Sequence, residues 1–122
     1  MTLIAVTKTV DVDTINDAIN LGISNIGENK VQELESKMDA IGDNVNYHMI
    51  GHLQTNKVKY IIDRVKLIHS LDRMSLVKEL DKRAKTKDLV IDTLIQVNVS
   101  QEDTKSGLEV SQVLPFIEKV LE

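Results

Sequence analysis

A lysine that follows a short apolar run is the residue of this sequence best suited to covalent chemistry. A single residue, Thr7, separates Lys8 from the apolar run at residues 3–6. If that run is a buried strand, the stem of Lys8 lies among apolar side chains and its amine lies at the strand end. Desolvation there favours the neutral amine, which is the nucleophile that condenses with an aldehyde. The alternative is a lysine whose ammonium simply reaches water, and position alone favours that alternative.

Polar and glycine residues also follow four further apolar runs. These segments are residues 27–30, 51–57, 69–73 and 98–107. Because the loops after parallel strands carry the ligand sites of α/β proteins, the pattern predicts a single functional face. The glycines form neither a GxGxxG nor a P-loop pattern, so the sequence gives no nucleotide-phosphate motif.

The histidines do not form a metal-binding pattern. His48, His52 and His69 lack the HExxH spacing and the chain contains no cysteine, so we expect no metal site. His48 alternates with Tyr47 and Met49 inside a strand, which is typical of a satisfied core histidine. His52 lies just past that strand and is a candidate for contact with a ligand.

Carboxylates at the same predicted face suggest two interpretations. Glu28 with Asp72 or Glu102 has the composition of an acid–base pair. Structural ion pairing is the more common arrangement for such residues, and we favour it here.

Five short apolar runs alternate with five stretches that have apolar residues at helical spacing. The runs are residues 3–6, 25–27, 47–51, 67–71 and 94–99, and their length predicts strands buried on both faces. The helical stripes lie within residues 12–19, 31–41, 58–65, 76–84 and 110–121. The alternation predicts one α/β domain over residues 1–122, built from five βα units. Such units form an open sheet or part of a (β/α)₈ barrel.

Several residues mark the ends of the predicted helices. Gly22 and Gly42 follow the first two stripes, where a left-handed residue ends a helix. Asp11 and Thr55 stand where N-caps are expected. Pro115 lies within the last stripe, so it must fall in the first turn or kink the helix.

The composition excludes several classes of function. The net charge of −4 and the 2% aromatic content argue against a nucleic-acid partner. We expect no membrane association, because no apolar run approaches the roughly 20 residues that span a bilayer. The amino-terminal residues lack the pattern of a signal peptide, and with no cysteine the chain fits a reducing cytoplasm.

Five segments together resemble the pyridoxal phosphate homeostasis protein family. The run YHMIGHLQTNKVKYI, residues 47–61, is similar to the family signature of an aromatic residue, His, an apolar pair, Gly and then Leu-Gln-x-Asn-Lys. Four more segments match in order and at consistent spacing. They are LIAVTKT, IGENKVQE, IHSLDR and LIQVNVSQEDTKSG, at residues 3–9, 26–33, 68–73 and 94–107.

The resemblance implies a fold and a cofactor. The fold is a TIM-type (β/α)₈ barrel like the N-terminal domain of alanine racemase, with about five of its eight units in this chain. The cofactor is pyridoxal 5′-phosphate (PLP), bound covalently as an aldimine to Lys8. Asn29 is expected to neighbour the cofactor, and Ile50, Gly51 and Ser70 are expected to line the same cavity.

The resemblance also implies a non-catalytic role, in which the protein holds PLP in exchangeable form and contributes to PLP homeostasis. Lys105 is a candidate secondary acceptor, although a solvated loop lysine is the simpler interpretation. The family's last strands, which hold the cofactor phosphate and ring nitrogen, have no counterpart here, so we expect weak binding. Two alternatives remain, an amino-acid racemase of the same fold type and an inert fragment. Exposed sheet edges predict a homo-oligomer.

Overall fold

Five parallel strands in chain order form the main sheet of the computed structural model, which describes residues 3–98 and 107–121. The strands are β1 Ala5–Val6, β2 Asn25–Glu28, β3 Asn46–Met49, β4 Val65–Leu71 and β5 Asp92–Ile95. The α-helices are α1 Val12–Asn20, α2 Val31–Ile41, α3 Met74–Lys87 and α4 Val113–Val120. After β5, the short strand β6 Val97–Asn98 pairs in parallel with β7 Leu108–Glu109. The predicted α/β fold with a parallel sheet is confirmed.

The unit between β3 and β4 differs from its prediction. A 3₁₀ helix, Thr55–Tyr60, stands where an α-helix was expected, and its N-cap is Gln54 instead of Thr55. Ile61 and Ile62 of the predicted stripe are buried in the turn that follows. Apolar residues three and four apart fit a 3₁₀ turn as well as an α-helix, so spacing alone did not distinguish the two.

The predicted helix ends are otherwise correct. The Asp11 carboxylate accepts a hydrogen bond from the Thr14 N–H at 2.8 Å and caps α1. Gly22 and Gly42 follow α1 and α2 with φ of +113° and +80°. Pro115 falls in the first turn of α4, after a 3₁₀ turn at Val110–Gln112.

The register of the strands separates their side chains into two faces. Glu28 contacts Lys37 of α2, so we call the side of the sheet that Glu28 faces the helix face. Val6, Gly27 and His48 are in register with one another and lie on the opposite side, the far face. An in-order parallel sheet places its helices on one face, because the crossovers are right-handed.

Burial is complete only in the middle of the sheet. Every residue of β2 is buried, as predicted. The outer strands are not buried on both faces, which corrects the prediction for them: Val6 of β1 is 59% exposed and Leu94 of β5 is 48% exposed. Among the described residues no helix is long and apolar enough to cross a membrane.

Candidate functional site

Lys8 follows the carboxyl end of β1, where the sequence predicted it. It is exposed, and within the described residues its amine takes part in no ion pair or hydrogen bond. The expectation that apolar neighbours shelter this amine is therefore wrong. Solvent reaches the side chain because β1 is a short outer strand. The amine is free to react, but burial does not supply its activation.

The residue before Lys8 is held from the helix face. The Thr7 N–H donates to the Gly27 carbonyl at 3.2 Å and extends the pairing of β1 with β2. The Thr7 hydroxyl donates to Glu28 Oε1, and Lys37 Nζ donates both to Glu28 Oε1 and to the Thr7 carbonyl oxygen. Thr7, Glu28 and Lys37 are all buried. This ion pair thus lies directly under the strand end that carries Lys8.

The residue after Lys8 has an unusual backbone conformation. Thr9 adopts a φ of +61°, in the left-handed region that disfavours residues with a Cβ. Its N–H points to Glu33 Oε2 at 3.5 Å, and Glu33 lies 3.6 Å from Lys37. The Thr9 N–H is the largest of the effects that lower the pKa of Glu33. Lys8 is therefore flanked on both sides by residues that contact α2.

The carboxylates are used in ion pairs and not as an acid–base pair. Glu28 is paired with Lys37, and Asp72 accepts from Arg73 Nη1 at 2.6 Å. Glu102 lies outside the described residues, as does Lys105. The structural interpretation is the correct one for Glu28 and Asp72.

The loops after β2 and β3 approach each other closely. A Cβ built on Gly51 would lie 2.5 Å from the Asn29 carbonyl oxygen and 2.8 Å from the Asn29 Cα. The Ile50 N–H donates to the Glu28 carbonyl at 3.0 Å. Ile50 also packs over Gly27, with a methyl group 3.1 Å from where a Gly27 Cβ would be. Three predicted site residues, Asn29, Ile50 and Gly51, are thereby brought together.

Ser70 differs from the other predicted site residues. Asn29, Ile50 and Gly51 are partly accessible to solvent and Lys8 is exposed, whereas Ser70 is fully buried in β4. Its Oγ has no hydrogen-bond partner among the described residues. The predicted role of Ser70 as a cavity-lining residue stays a prediction.

A cavity of about 340 Å³ lies beside Asn29, between the start of α2 and the loop after β3. It is lined by Asn29, Lys30, Val31, Gln32, His52, Gln54 and Lys57. None of these residues is acidic, and α2 begins without a side-chain cap on its N–H groups. Lysines and helix amino termini both favour anions. His52 was expected near a ligand. Lys30 and Lys57 lie in two of the predicted loop segments but were not singled out, because their proximity depends on the two loops meeting.

A second polar cluster lies on the far face. His48 Nε2 is 3.0 Å from Asn25 Oδ1, and His48 Nδ1 is 3.0 Å from His69 Nε2. Burial is the main effect that lowers the pKa of both histidines, and the charge of His69 adds to it for His48. His48 is the satisfied core histidine that the sequence predicted. In the described part of the chain, no group of three His, Cys, Asp or Glu residues could hold a metal ion.

Comparison with known proteins places these features in context. The pyridoxal phosphate homeostasis protein of Aquifex aeolicus is 46% identical over 121 residues, which cover 98% of this chain and 53% of that protein. The chain is related to the pyridoxal phosphate homeostasis proteins. It spans about half the length of the curated relatives it matches. No family model matches the chain.

Two solved structures of PipY from Synechococcus elongatus PCC7942 share the fold. The structure of PipY without PLP superposes with a TM-score of 0.88 at 28% identity, over 96% of this chain and 55% of that one. The structure with PLP bound gives a TM-score of 0.82 at 26% identity, over 96% of this chain and 56% of that one. The resemblance of the sequence to the PLP homeostasis proteins is thus confirmed by independent matches.

Proposed function

We propose that this chain binds PLP through a Schiff base on Lys8, as a non-catalytic protein of PLP homeostasis. The observation that carries the proposal is the exposed amine of Lys8 at the carboxyl end of β1, which has no partner among the described residues. The names of the relatives and the PLP-bound structure of PipY support the choice of cofactor. We further propose that Asn29, Ile50 and Gly51 neighbour the cofactor, because the loops that carry them meet at the same end of the sheet.

The chemistry of the bond accounts for a carrier role. When the Lys8 amine condenses with an aldehyde, a C=N bond forms and one water leaves, and the reverse reaction restores both partners. A free amine can displace Lys8 in the same way and remove the cofactor. Neither Glu28 nor Asp72 is available as a general acid or base, because each is held in an ion pair. The proposed holding and release consist of this reversible exchange between amines alone.

The proposal includes a barrel as the parent fold. The five parallel strands run in chain order, as the strands of a (β/α)₈ barrel do. We propose that β1 to β5 correspond to part of such a barrel, with Lys8 at its carboxyl-end mouth. Because this chain spans about half the length of its relatives, we expect it to bind PLP more weakly than a full-length relative.

The first prediction concerns Lys8→Ala. The chain is titrated with PLP, the absorbance band of the protonated imine is followed, and the adduct is fixed with borohydride and located by peptide mass mapping. We expect Lys8→Ala to abolish the band, because it removes the amine nitrogen that forms the proposed imine with PLP. Lys85→Ala is the matched control, since Lys85 is exposed on α3 and its one ion pair within the described part of the chain is with Asp81 at 3.0 Å.

Two results would overturn the proposal. Borohydride fixation on another lysine would move the attachment point away from Lys8. The absence of any band with the unsubstituted chain, even at PLP concentrations far above those that load a full-length relative, would favour the inert fragment.

A further inference from the structure

Both peptide groups that flank the Cα of Lys8 are held by one charged cluster. The Thr7 carbonyl, which belongs to the peptide group before Lys8, accepts from Lys37 Nζ. The Thr9 N–H, which belongs to the peptide group after it, contacts Glu33 Oε2 at 3.5 Å. Lys37 joins the two halves, because its Nζ also lies 3.6 Å from Glu33 Oε2. Glu28 pairs with Lys37 and accepts from the Thr7 hydroxyl. We call Glu28, Glu33 and Lys37 the clamp.

The clamp is more than a surface ion pair. Lys37 is 7% exposed and Glu28 is fully buried, whereas lysine and glutamate are almost never buried unless they are paired. Glu28 Oε2 has no hydrogen-bond partner among the described residues. Buried ion pairs add little net stability compared with apolar side chains of similar volume. Stability alone is therefore a poor explanation for this cluster.

The backbone beside Lys8 needs contacts beyond those of the sheet to keep its conformation. Strand β1 has only two residues and lies at the outside of the five-stranded sheet, so ladder hydrogen bonds hold it weakly. Thr9 must also keep a φ of +61°, which persists only where the surroundings enforce it. The clamp supplies contacts on both sides of Lys8 while leaving its side chain in solvent.

We propose that Glu28, Glu33 and Lys37 are positioning residues for Lys8. They fix the two peptide groups around its Cα, so only the side chain must become ordered when the amine bonds to an aldehyde. Preorganisation of this kind strengthens binding because less freedom is lost in the complex. The inference rests on the proposed function of Lys8, but the state of the clamp can be measured without any cofactor.

The test replaces both members of the buried pair together. Lys37→Met with Glu28→Gln removes both charges and the Lys37 donor, while Met and Gln keep the approximate volumes. The matched control, Arg64→Met with Asp39→Asn, removes the exposed ion pair at 3.0 Å that α2 makes elsewhere. We expect the clamp variant to fold with unchanged far-UV circular dichroism and to bind PLP about tenfold more weakly. The control should bind as the unsubstituted chain does.

A second readout needs no PLP. The N–H of Thr7 donates to the Gly27 carbonyl and that of Thr9 to Glu33. Hydrogen exchange at these two amides, followed by NMR, should become faster in the clamp variant while amides in β3 stay protected. Glu33→Ala should speed exchange at Thr9, and Glu33→Gln should restore its protection, because the amide oxygen of Gln still accepts a hydrogen bond. Should the double variant fail to fold, this Glu33 pair carries the test alone.

The outcomes separate the two proposals. If the unsubstituted chain forms no adduct with PLP, the proposed function fails, whereas the exchange data still decide whether the clamp holds the Lys8 backbone. If the chain binds PLP through Lys8 but neither binding nor exchange changes in folded clamp variants, the clamp is merely structural and the inference is wrong.

Discussion

At the residue scale, the histidine cluster on the far face has a defined direction of hydrogen bonding. Asn25 Nδ2 donates to Ser24 Oγ at 3.2 Å, which leaves Asn25 Oδ1 to accept from His48 Nε2–H. His48 Nδ1 then carries a lone pair and accepts from His69 Nε2–H. His48 is neutral in this arrangement, because its Nδ1 must accept. A proton on His48 Nδ1 would bring two N–H donors, His48 Nδ1–H and His69 Nε2–H, together with no acceptor between them.

Stability should therefore fall in mildly acidic solution. Burial lowers the pKa of His48 and of His69 below the value of about 6.5 that the unfolded chain has. Below about pH 6.5 the unfolded state binds more protons, so the contribution of the pair is complete above this pH and is lost as the pH falls through the folded-state pKa values. Urea unfolding at pH 7.5 and pH 5.5 measures the loss.

The control for this prediction is the third histidine. His52→Gln should leave the loss between pH 7.5 and 5.5 unchanged, because His52 lies outside the cluster, and His69→Gln should reduce it. The pKa values of Asp11, Glu33 and Glu79 are lowered by hydrogen bonds, so their effects belong to more acidic solution. Equal free energies of unfolding at the two pH values would contradict the prediction.

Gly51 gives a prediction about packing between two loops. A methyl group at Gly51 would meet the Asn29 backbone at 2.5 Å, and a backbone atom cannot move aside as a side chain can. We expect Gly51→Ala to lower the free energy of unfolding by about 1–3 kcal/mol. Gly27→Ala is the matched control, because its nearest neighbours are side-chain methyl groups of Ile50 and Ile4 at 3.1 and 3.2 Å instead of backbone atoms. Equal stability of the two variants in urea would refute the argument.

At the element scale, the sequence predicted the order and type of most elements. Short β-branched runs and helical stripes located β2 to β4 and α1 to α3 within a few residues, since tertiary packing and local pattern agree there. Asp11 and Gly42 marked helix ends because their local chemistry suffices for a cap. The 3₁₀ helix at Thr55–Tyr60 was missed, because both helix types satisfy the same spacing.

The candidate site was predictable in part for the same reason. Parallel pairing in register brings the carboxyl ends of β1, β2 and β3 together. Lys8, Asn29 and Gly51 could therefore be assigned to the same end of the sheet from the pattern alone. The clamp could not be assigned, because the partner of Lys37 lies in another element. A signal did exist. Lys37 stands three residues after Leu34 and four before Ile41, within the apolar stripe of α2, where an unpaired lysine is not expected.

At the scale of the whole molecule, each outer strand of the main sheet has one edge that pairs with no other strand of the described residues. Within the described residues β1 pairs only with β2, and β5 pairs only with β4. Val6 and Leu94 on these strands are largely exposed. Unpaired strand edges with apolar side chains promote pairing with another chain.

We therefore expect this 122-residue chain to form a dimer or larger oligomer through its outer strands. Size-exclusion chromatography with light scattering, over a range of protein concentrations, measures the mass in solution. Leu94→Lys should shift the chain toward the monomer, because a charge on an edge strand opposes pairing. Leu21→Lys is the control, since Leu21 is 88% exposed but lies at the end of α1, away from the outer strands. A monodisperse monomer at every concentration would rule out association through these edges, and β1 would then depend on β2 and the clamp alone to hold Lys8.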